Sequence, residues 1–451
     1  MNVRPLLAML AALELVGCAG FSTDGGFDAV AEAAHKHLAK DLEWPRTDDE
    51  QTKVRKHVDA LLALPLGADE AVQIALLNNR SLQADFEQLG ISEADLVQSG
   101  RLPNPRFDLR HAAAGGQYDI EETLTFNILS LFTMGYARDI ERRRFAEVQN
   151  AVVLQVLQLA KDTREAFFAA VAAQDSVTYM AQVNAVAETG ARLSDKMVAA
   201  GNWNRLDQSR EQIFHIDAVQ SLARARLQAD GAREKLTRLM GLGGGDGPAV
   251  QLAAHLPELP AGIDNPPDIE AAVLQNRLDL RLMRLQVDEL AHRLKLTKAT
   301  RFINVLDVGP TRVRQGTRED SYITGYALSF EVPIFDSGGA RVKKSEALYA
   351  QAVDRFAQAA VDARSEIRQA YGNYRAAFDL ARRLRDEATP LQKAVAQQNL
   401  LRYNASLISV FELLADAREQ VLGADQYIQS VRDFWIAKTE FDSALLGSTP
   451  L

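Results

Sequence analysis

Few residues of this chain are placed where side-chain chemistry would need them. The sequence contains neither an H-E-x-x-H motif, which binds zinc on one helix face, nor a G-x-S-x-G nucleophile motif. Four histidines are scattered without a partner pattern: His111, His215, His255 and His292. His35 and His37 could be read as metal ligands, but no third ligand is nearby, and a solvated pair is the favoured interpretation. We therefore expect no enzyme activity, no cofactor and no metal site.

The glycine-rich segment Gly241–Gly247 offers another familiar chemistry, phosphate binding. A P-loop follows a strand and has Lys and Ser or Thr just before a helix. This segment follows a predicted helix and contains no lysine. We interpret it as part of a flexible connector.

The single cysteine, Cys18, follows a stretch with the features of a secretory signal. Arg4 precedes an apolar run that leads into Leu15-Val16-Gly17-Cys18. These four residues resemble the lipobox of bacterial lipoproteins, whose cysteine becomes the lipidated first residue of the mature chain. A buried structural cysteine is the alternative. We predict a signal peptide over 1–17, lipidation (palmitate) at Cys18, and an N-terminal extension over 18–65, which leaves the mature chain without a free thiol.

Composition excludes several other classes of protein. The net charge is −9, and the 25% of charged residues are mixed in sign along the chain, so no basic face for nucleic acid is present. Hydrophobic residues make up 47%, enough for a large buried surface. Beyond the N-terminus, no segment approaches the roughly 20 apolar residues of a membrane-spanning helix.

The chain contains an internal duplication with a spacing of about two hundred residues. Asn78-Asn79-Arg80 in the first half matches Gln275-Asn276-Arg277 in the second, and 201–207 matches 406–412. The spacing is too long for a solenoid repeat. We predict a first repeat over 66–245, a connector over 246–266, and a second repeat over 267–447.

Each repeat contains a pair of predicted strands, about 106–131 and about 302–333. Apolar and polar side chains alternate from Tyr118 to Ile128 and again from Tyr322 to Val332. Between Phe302–Val308 and the last strand we expect a polar loop that includes Arg312 and Arg314. Such alternation is typical of a strand between lipid and a wet lumen, and equally of any half-buried antiparallel strand.

Each repeat also contains a long predicted helical hairpin, about 136–240 and about 340–446. Tyr136–Thr189 has neither glycine nor proline. In the second hairpin we expect Pro390 to end the first helix, because proline cannot continue helical hydrogen bonding. Helices of this length favour coiled-coil packing or a helical tube.

The order of these parts resembles the TolC-like outer-membrane efflux proteins over nearly the whole mature chain. Besides the lipobox, the resemblance rests on Leu76–Arg80, Leu102–Pro105, Val332–Gly339 and Arg402–Ser409. It implies a mainly α fold with β, in which a duplicated unit forms long antiparallel helical hairpins (an α-barrel tunnel) and contributes four strands to a trimeric transmembrane β-barrel. The implied partners are two further copies of the chain, outer-membrane lipid, a periplasmic adaptor (membrane fusion) protein and an inner-membrane transporter.

The resemblance implies passage rather than catalysis. We expect a lipid-anchored channel of the bacterial outer membrane that extends into the periplasm, a passive export duct of a tripartite efflux system for metal ions or drugs. Two alternatives stay open: a channel for type I protein secretion, and a lipid-anchored periplasmic coiled-coil protein with a structural role.

The site residues that the resemblance implies lie at the two hairpin tips. Members of the family close this end of the tunnel with acidic side chains and hydrogen bonds between hairpins, which makes Asp207, Tyr403 and Glu412 candidates for a gate. Solvated surface charge is the alternative for each of them. The candidates for docking the adaptor are Gly201, Asn202, Trp203, Arg205, Ser406, Leu407 and Ile408.

Overall fold

The computed structural model describes residues 20–243, 250–263, 277–303, 305–317 and 319–447. The predicted signal peptide, Cys18, and residues 246–249 and 264–266 of the predicted connector lie outside them. The first half contains α1 (Phe27–Leu38), α2 (Asp48–Leu62), α3 (Ala68–Asn78), α4 (Arg80–Ser99), β1 (Arg106–Ala114), β2 (Gln117–Asn127), α5 (Ile128–Ala199) and α6 (Arg205–Leu239). The second half contains α7 (Leu278–Ala299), β3 (Leu306–Gly316), β4 (Ile323–Phe330), α8 (Gly339–Arg383), a π turn (Leu384–Ala388), α9 (Thr389–Asn404) and α10 (Val410–Leu446).

The chain divides into two compact units. The sheet unit comprises the described parts of Met1–Val30, Asp85–Val152 and Asp279–Ala360. The hairpin unit comprises the described parts of Ala31–Ala84, Val153–Leu278 and Val361–Leu451. These units do not correspond to the two predicted sequence repeats, 66–245 and 267–447, whose boundaries stay a prediction.

In the sheet unit, the four strands form one antiparallel sheet in the order β1-β2-β3-β4. The register places most of the apolar side chains of the four strands on one face, which also carries Arg314 and the Arg312–Glu122 ion pair. These apolar residues are Phe107, Leu109, Leu124, Phe126, Val308, Pro310, Tyr326, Leu328 and Phe330. The opposite face is largely polar, and there Thr123 Oγ1 and Thr311 Oγ1 are hydrogen-bonded at 2.8 Å. The alternation predicted from the sequence is thus confirmed within the strands.

One expectation for the sheet was wrong. Arg312 and Arg314 lie inside β3 and not in a loop, because β3 continues through Gly309-Pro310 to Gly316. The ladder from β3 to β2 is interrupted opposite this dipeptide, where proline has no N–H to donate. Pro310 still lies opposite Tyr326 of β4, and Arg312 forms an ion pair with Glu122 on β2. Cross-strand partners in β2 and β4 therefore extend β3 beyond Gly309-Pro310.

In the hairpin unit, the expectation for Pro390 was also wrong. The helical path does not end there, because a π turn just before Pro390 accommodates the proline, which has no N–H to donate. Thr389 donates both its backbone N–H and its Oγ1 hydroxyl to the Leu384 carbonyl, the latter at 2.8 Å, and Pro390 falls in the first turn of α9. A proline costs little in a first helical turn, where its N–H would have no helical acceptor. Nowhere in the described chain is a helix both long and apolar enough to cross a membrane.

In both repeats, residues of the shared motif donate hydrogen bonds to the C-terminal end of the second hairpin helix, α6 or α10. Asn78 Nδ2 donates to the carbonyls of Met240 and Gly241, at 3.1 and 2.9 Å, and Asn79 Nδ2 donates to Leu239 at 2.8 Å. In the second repeat, Arg277 Nη1 donates to the Ala444 carbonyl near the end of α10, at 3.2 Å. The last carbonyls of a helix have no partner within the helix, so side chains from outside must supply one.

Near the tips, α10 packs against the first hairpin. Val183 and Ala187 of α5 form a small buried cluster with Ala218 of α6, and Val421 of α10 packs against it. One turn closer to the tip, the Arg418 guanidinium lies 4.2 Å from the centre of the Phe214 ring. Burial raises the pKa of the neighbouring Glu211 carboxyl, and the positive charge of Arg418 opposes this effect only in part.

We expect Glu366→Ala to lower the free energy of unfolding by about 1.5–3 kcal/mol, the value of a hydrogen bond to a charged group. The Arg277 side chain is fully buried and pairs with Glu366 at 2.8 Å, so the substitution removes one of the partners of a buried cation. Denaturant unfolding of the detergent-solubilised protein measures the loss. Glu419→Ala, at an exposed position of α10, is the matched control and should stay within about 0.5 kcal/mol of wild type.

The raised pKa of Glu211 predicts a pH dependence of stability. The pKa of Glu211 is higher in the folded chain than in the unfolded chain, so the ionised carboxylate lowers the free energy of unfolding. The contribution of Glu211 to stability therefore falls as pH rises through its folded pKa. Glu211→Gln should therefore melt at a higher temperature than wild type at pH 7.5, with the gap closing towards pH 4.5. Thermal melts followed by circular dichroism test this, with exposed Glu419→Gln as control; a gap that does not change with pH contradicts it.

Candidate functional site: the two hairpin tips

The first tip is a turn between α5 and α6. Gly201 has φ +74°, in the left-handed region, and Asn202 N donates back to the Met197 carbonyl at 2.9 Å. This is the usual way for a helix to end at a glycine. Asn204 then caps α6, because its Oδ1 accepts the Asp207 N–H at 2.8 Å.

The second tip, between α9 and α10, has the same construction. Ser406 occupies the position of Gly201 with φ +56°, and Leu407 N donates back to the Arg402 carbonyl at 2.8 Å. Ser409 caps α10, since its Oγ accepts the Glu412 N–H at 3.2 Å. A left-handed serine is less favourable than a glycine, but the turn and the cap are both retained.

The gate candidates Asp207 and Glu412 are structurally equivalent, each three residues after its helix cap. Asp207 accepts hydrogen bonds from Asn204 Nδ2 at 2.6 Å and Arg210 Nη1 at 3.0 Å. Tyr403 lies in the last turn of α9 and is 38% exposed. Within the described chain no hydrogen bond joins Asp207 to Tyr403. This does not bear on a bond between two copies of the chain. A hydrogen bond between Asp207 and Tyr403 that closes the gate, called the latch below, therefore stays a prediction.

The docking candidates lie on the outside of both turns. The backbone and side chains of Gly201, Asn202, Arg205, Ser406 and Leu407 are exposed, and Ile408 is half-buried. Leu407 is 70% exposed, an unusual position for a large apolar side chain with no partner in its own chain's core. Their role in docking is not tested by these observations and stays a prediction.

Trp203 is the docking candidate whose position differs most from the sequence-based expectation. Its indole stacks on the Phe411 ring, with ring centres 4.0 Å apart and planes 11° apart. Phe411 was not among the residues picked from the sequence. The available signal was an aromatic residue at each tip, but nothing in the sequence indicated that the two rings meet.

One helix exposes an apolar stripe at coiled-coil spacing. On α6 the exposed residues are Leu206, Ile213, Ile216 and Leu227, which fall on heptad positions with alanine at position 223. On α9 the exposed apolar residues Leu391, Val395, Leu400 and Leu401 are spread around the helix. A single copy of the chain leaves the α6 stripe in water, which is unfavourable in proportion to its area.

Several histidines pair singly with carboxylates. His255 Nδ1 lies 3.0 Å from Asp175 Oδ1, beside a cavity of about 460 Å³, and burial raises the pKa of Asp175. His292 Nδ1 lies 3.3 Å from Asp139 Oδ2. The part of the chain that the structure describes contains no group of three or more His, Cys, Asp or Glu side chains that could hold a metal ion.

Comparison with known sequences gives one informative relative. No protein-family model matches the chain. The cobalt-zinc-cadmium resistance protein CzcC of Cupriavidus metallidurans is 23% identical over 284 residues, which are 60% of this chain. The match spans 64% of that protein's length.

Comparison with solved structures gives several neighbours with the same architecture. The CmeC outer membrane channel of Campylobacter jejuni has a TM-score of 0.70 at 14% identity, over 90% of this chain and 89% of that one. The outer-membrane channel OprN has a TM-score of 0.63 at 18% identity, over 93% and 96%. The open state of the MtrE channel of Neisseria gonorrhoeae has a TM-score of 0.67 at 16% identity, over 84% and 89%. The resemblance found in the sequence is confirmed at the level of structure, and this chain has the fold of the TolC-like outer-membrane efflux proteins.

Proposed function

We propose that three copies of this chain form an outer-membrane channel, the passive export duct of a tripartite efflux system. The observation that carries the proposal is the sheet, which has one largely polar face and one face that is apolar except around Glu122, Arg312 and Arg314. Phe107, Leu109, Leu328 and Phe330 are all more than half exposed on the apolar face. Exposed to lipid, these side chains lose the unfavourable contact with water that they have in a single soluble copy.

The edges of the sheet support assembly with further copies. β1 and β4 each pair with a neighbour on one side only. An open strand edge has unpaired N–H and C=O groups, which in a membrane must find partners. Pairing of β1 of one copy with β4 of the next satisfies both edges, and three copies then share twelve strands.

The helical hairpins support the same assembly. The apolar stripe of α6 has the spacing and exposure of a helix surface that packs against another helix. In the assembled channel this stripe is covered by a neighbouring copy, and the polar faces of the helices line the duct in the periplasm. A lipid anchor at Cys18 would fasten the N-terminal extension to the same membrane.

The cargo we propose is metal ions, with drugs as the second class. The support is the similarity to a relative named for resistance to cobalt, zinc and cadmium. A duct of this kind does not select its cargo, so the inner-membrane transporter would decide which class is exported. The exposed tip turns, with Arg205 and Leu407 at their surface, are the proposed contact with the periplasmic adaptor.

A deletion strain tests the function and the docking surface together. We expect deletion to raise sensitivity to metal ions at least about tenfold across a panel of metals, dyes and antibiotics, and wild-type chain to restore resistance. Arg205→Glu should fail to restore resistance while it still forms detergent-stable trimers, because only the adaptor contact is lost. Arg226→Glu, on α6 away from the tip, is the matched control.

Unchanged growth of the deletion strain on every compound would contradict the efflux function. Full resistance with Arg205→Glu would contradict only the docking surface.

The proposed gate predicts a leaky channel when its latch is removed. In the assembled trimer we propose that Tyr403 donates a hydrogen bond to Asp207 of a neighbouring hairpin, while three Glu412 carboxylates form a cation-favouring constriction. Asp207→Ala with Tyr403→Phe should raise single-channel conductance in planar bilayers several-fold. Arg210→Ala, which removes only the intrahelical partner of Asp207, is the control; equal conductance of wild type and the double variant would rule out the latch.

A further inference from the structure

The aromatic stack between the two tips joins distant parts of the chain. Trp203 belongs to the turn of the first hairpin and Phe411 to the first turn of α10 in the second. The ring planes are 11° apart with centres 4.0 Å apart, so the faces cover one another closely. Two aromatic rings in contact stabilise each other beyond the area that they bury.

The stack lies directly beside both gate carboxylates. Trp203 immediately precedes Asn204, the cap of α6, and Asp207 follows three residues later. Phe411 immediately precedes Glu412 in α10, whose cap is Ser409. Since each cap fixes where its helix begins, the two rings hold the first turns of α6 and α10 against each other.

Further contacts continue the same seam away from the tip. Arg418 of α10 lies over Phe214 of α6, and Val421 packs on the cluster of Val183, Ala187 and Ala218. Beyond the stack itself, α9 is tied to α10 by the hydrogen bond of Asn399 to Asp416. Deep in the seam α10 is thus held by several contacts, and at the tip the Trp203 ring of the first hairpin contacts its first turn.

We propose that Trp203 is a positioning residue for the gate: its stack on Phe411 holds the start of α10, and with it Glu412, beside the first hairpin, and this paired arrangement is the closed state of the gate. The first turn of α10 can move away from α6 only after the rings separate. This inference rests on the proposed channel function. It assigns to Trp203 an intrachain role in place of the docking role that its surface position suggested.

The test is single-channel recording of the full-length trimer in planar bilayers. Trp203→Ala should increase the fraction of time spent open about two- to tenfold, which is the shift expected for the loss of one aromatic pair. Trp203→Phe keeps a ring and should stay near wild type. Phe411→Ala should reproduce Trp203→Ala, and the double variant should open no more often than either single variant, because both lose the same contact.

Trp44→Ala is the matched control, since it removes an indole that lies over Arg46 in the N-terminal segment and belongs to neither hairpin tip. It should leave the open fraction unchanged. Wild-type gating of Trp203→Ala in detergent-stable trimers would overturn the inference, as would additive effects in the double variant. Absence of any conductance from the wild-type trimer would instead overturn the proposed channel function.

Discussion

The long hairpins depend on close packing between antiparallel helices, which small side chains make possible. Alanines recur at buried positions along α5 and α6, among them Ala187, Ala191, Ala218 and Ala225. Gly190 permits a close approach, since a Cβ there would lie 3.0 Å from the Glu211 carboxylate and 3.5 Å from Leu414. Helices gain most of their stability from such packing and little from propensity alone. The tips can be positioned relative to each other only because the helices behind them are held at this short spacing.

The order of helices and strands could be predicted because local signals agree with one another. Strand alternation, the caps at Asn204 and Ser409, and the left-handed turn at Gly201 all lie within a few residues of the structure that they specify. The duplication added a second, independent copy of each signal. For this reason two pairs of strands and both hairpin turns occur close to where the sequence indicated, apart from the loop expected at Arg312 and Arg314.

The expectations for β3 and for Pro390 were wrong because the structure around these residues overrides their local sequence preference. Gly309-Pro310 is a poor strand sequence, yet pairing with β4 and the ion pair of Arg312 with Glu122 extend β3 past it. Pro390 is a poor helix residue, yet a π turn accommodates it. The stack of Trp203 on Phe411 joins residues about two hundred positions apart, so no local pattern could predict it. The gate and docking candidates follow from the resemblance to the TolC-like proteins. The equivalence of Asp207 and Glu412 is a feature of the backbone at the two tips.

The π turn breaks the symmetry between the two hairpins. A π turn contains one more residue than the α-helical turn it replaces, and one residue corresponds to a rotation of about 100°. The face that α9 presents is therefore rotated relative to α8, whereas α5 runs from Ile128 to Ala199 without such a break. The two hairpins of one chain therefore present different helix faces to whatever packs against them, although the turns at their tips are built alike.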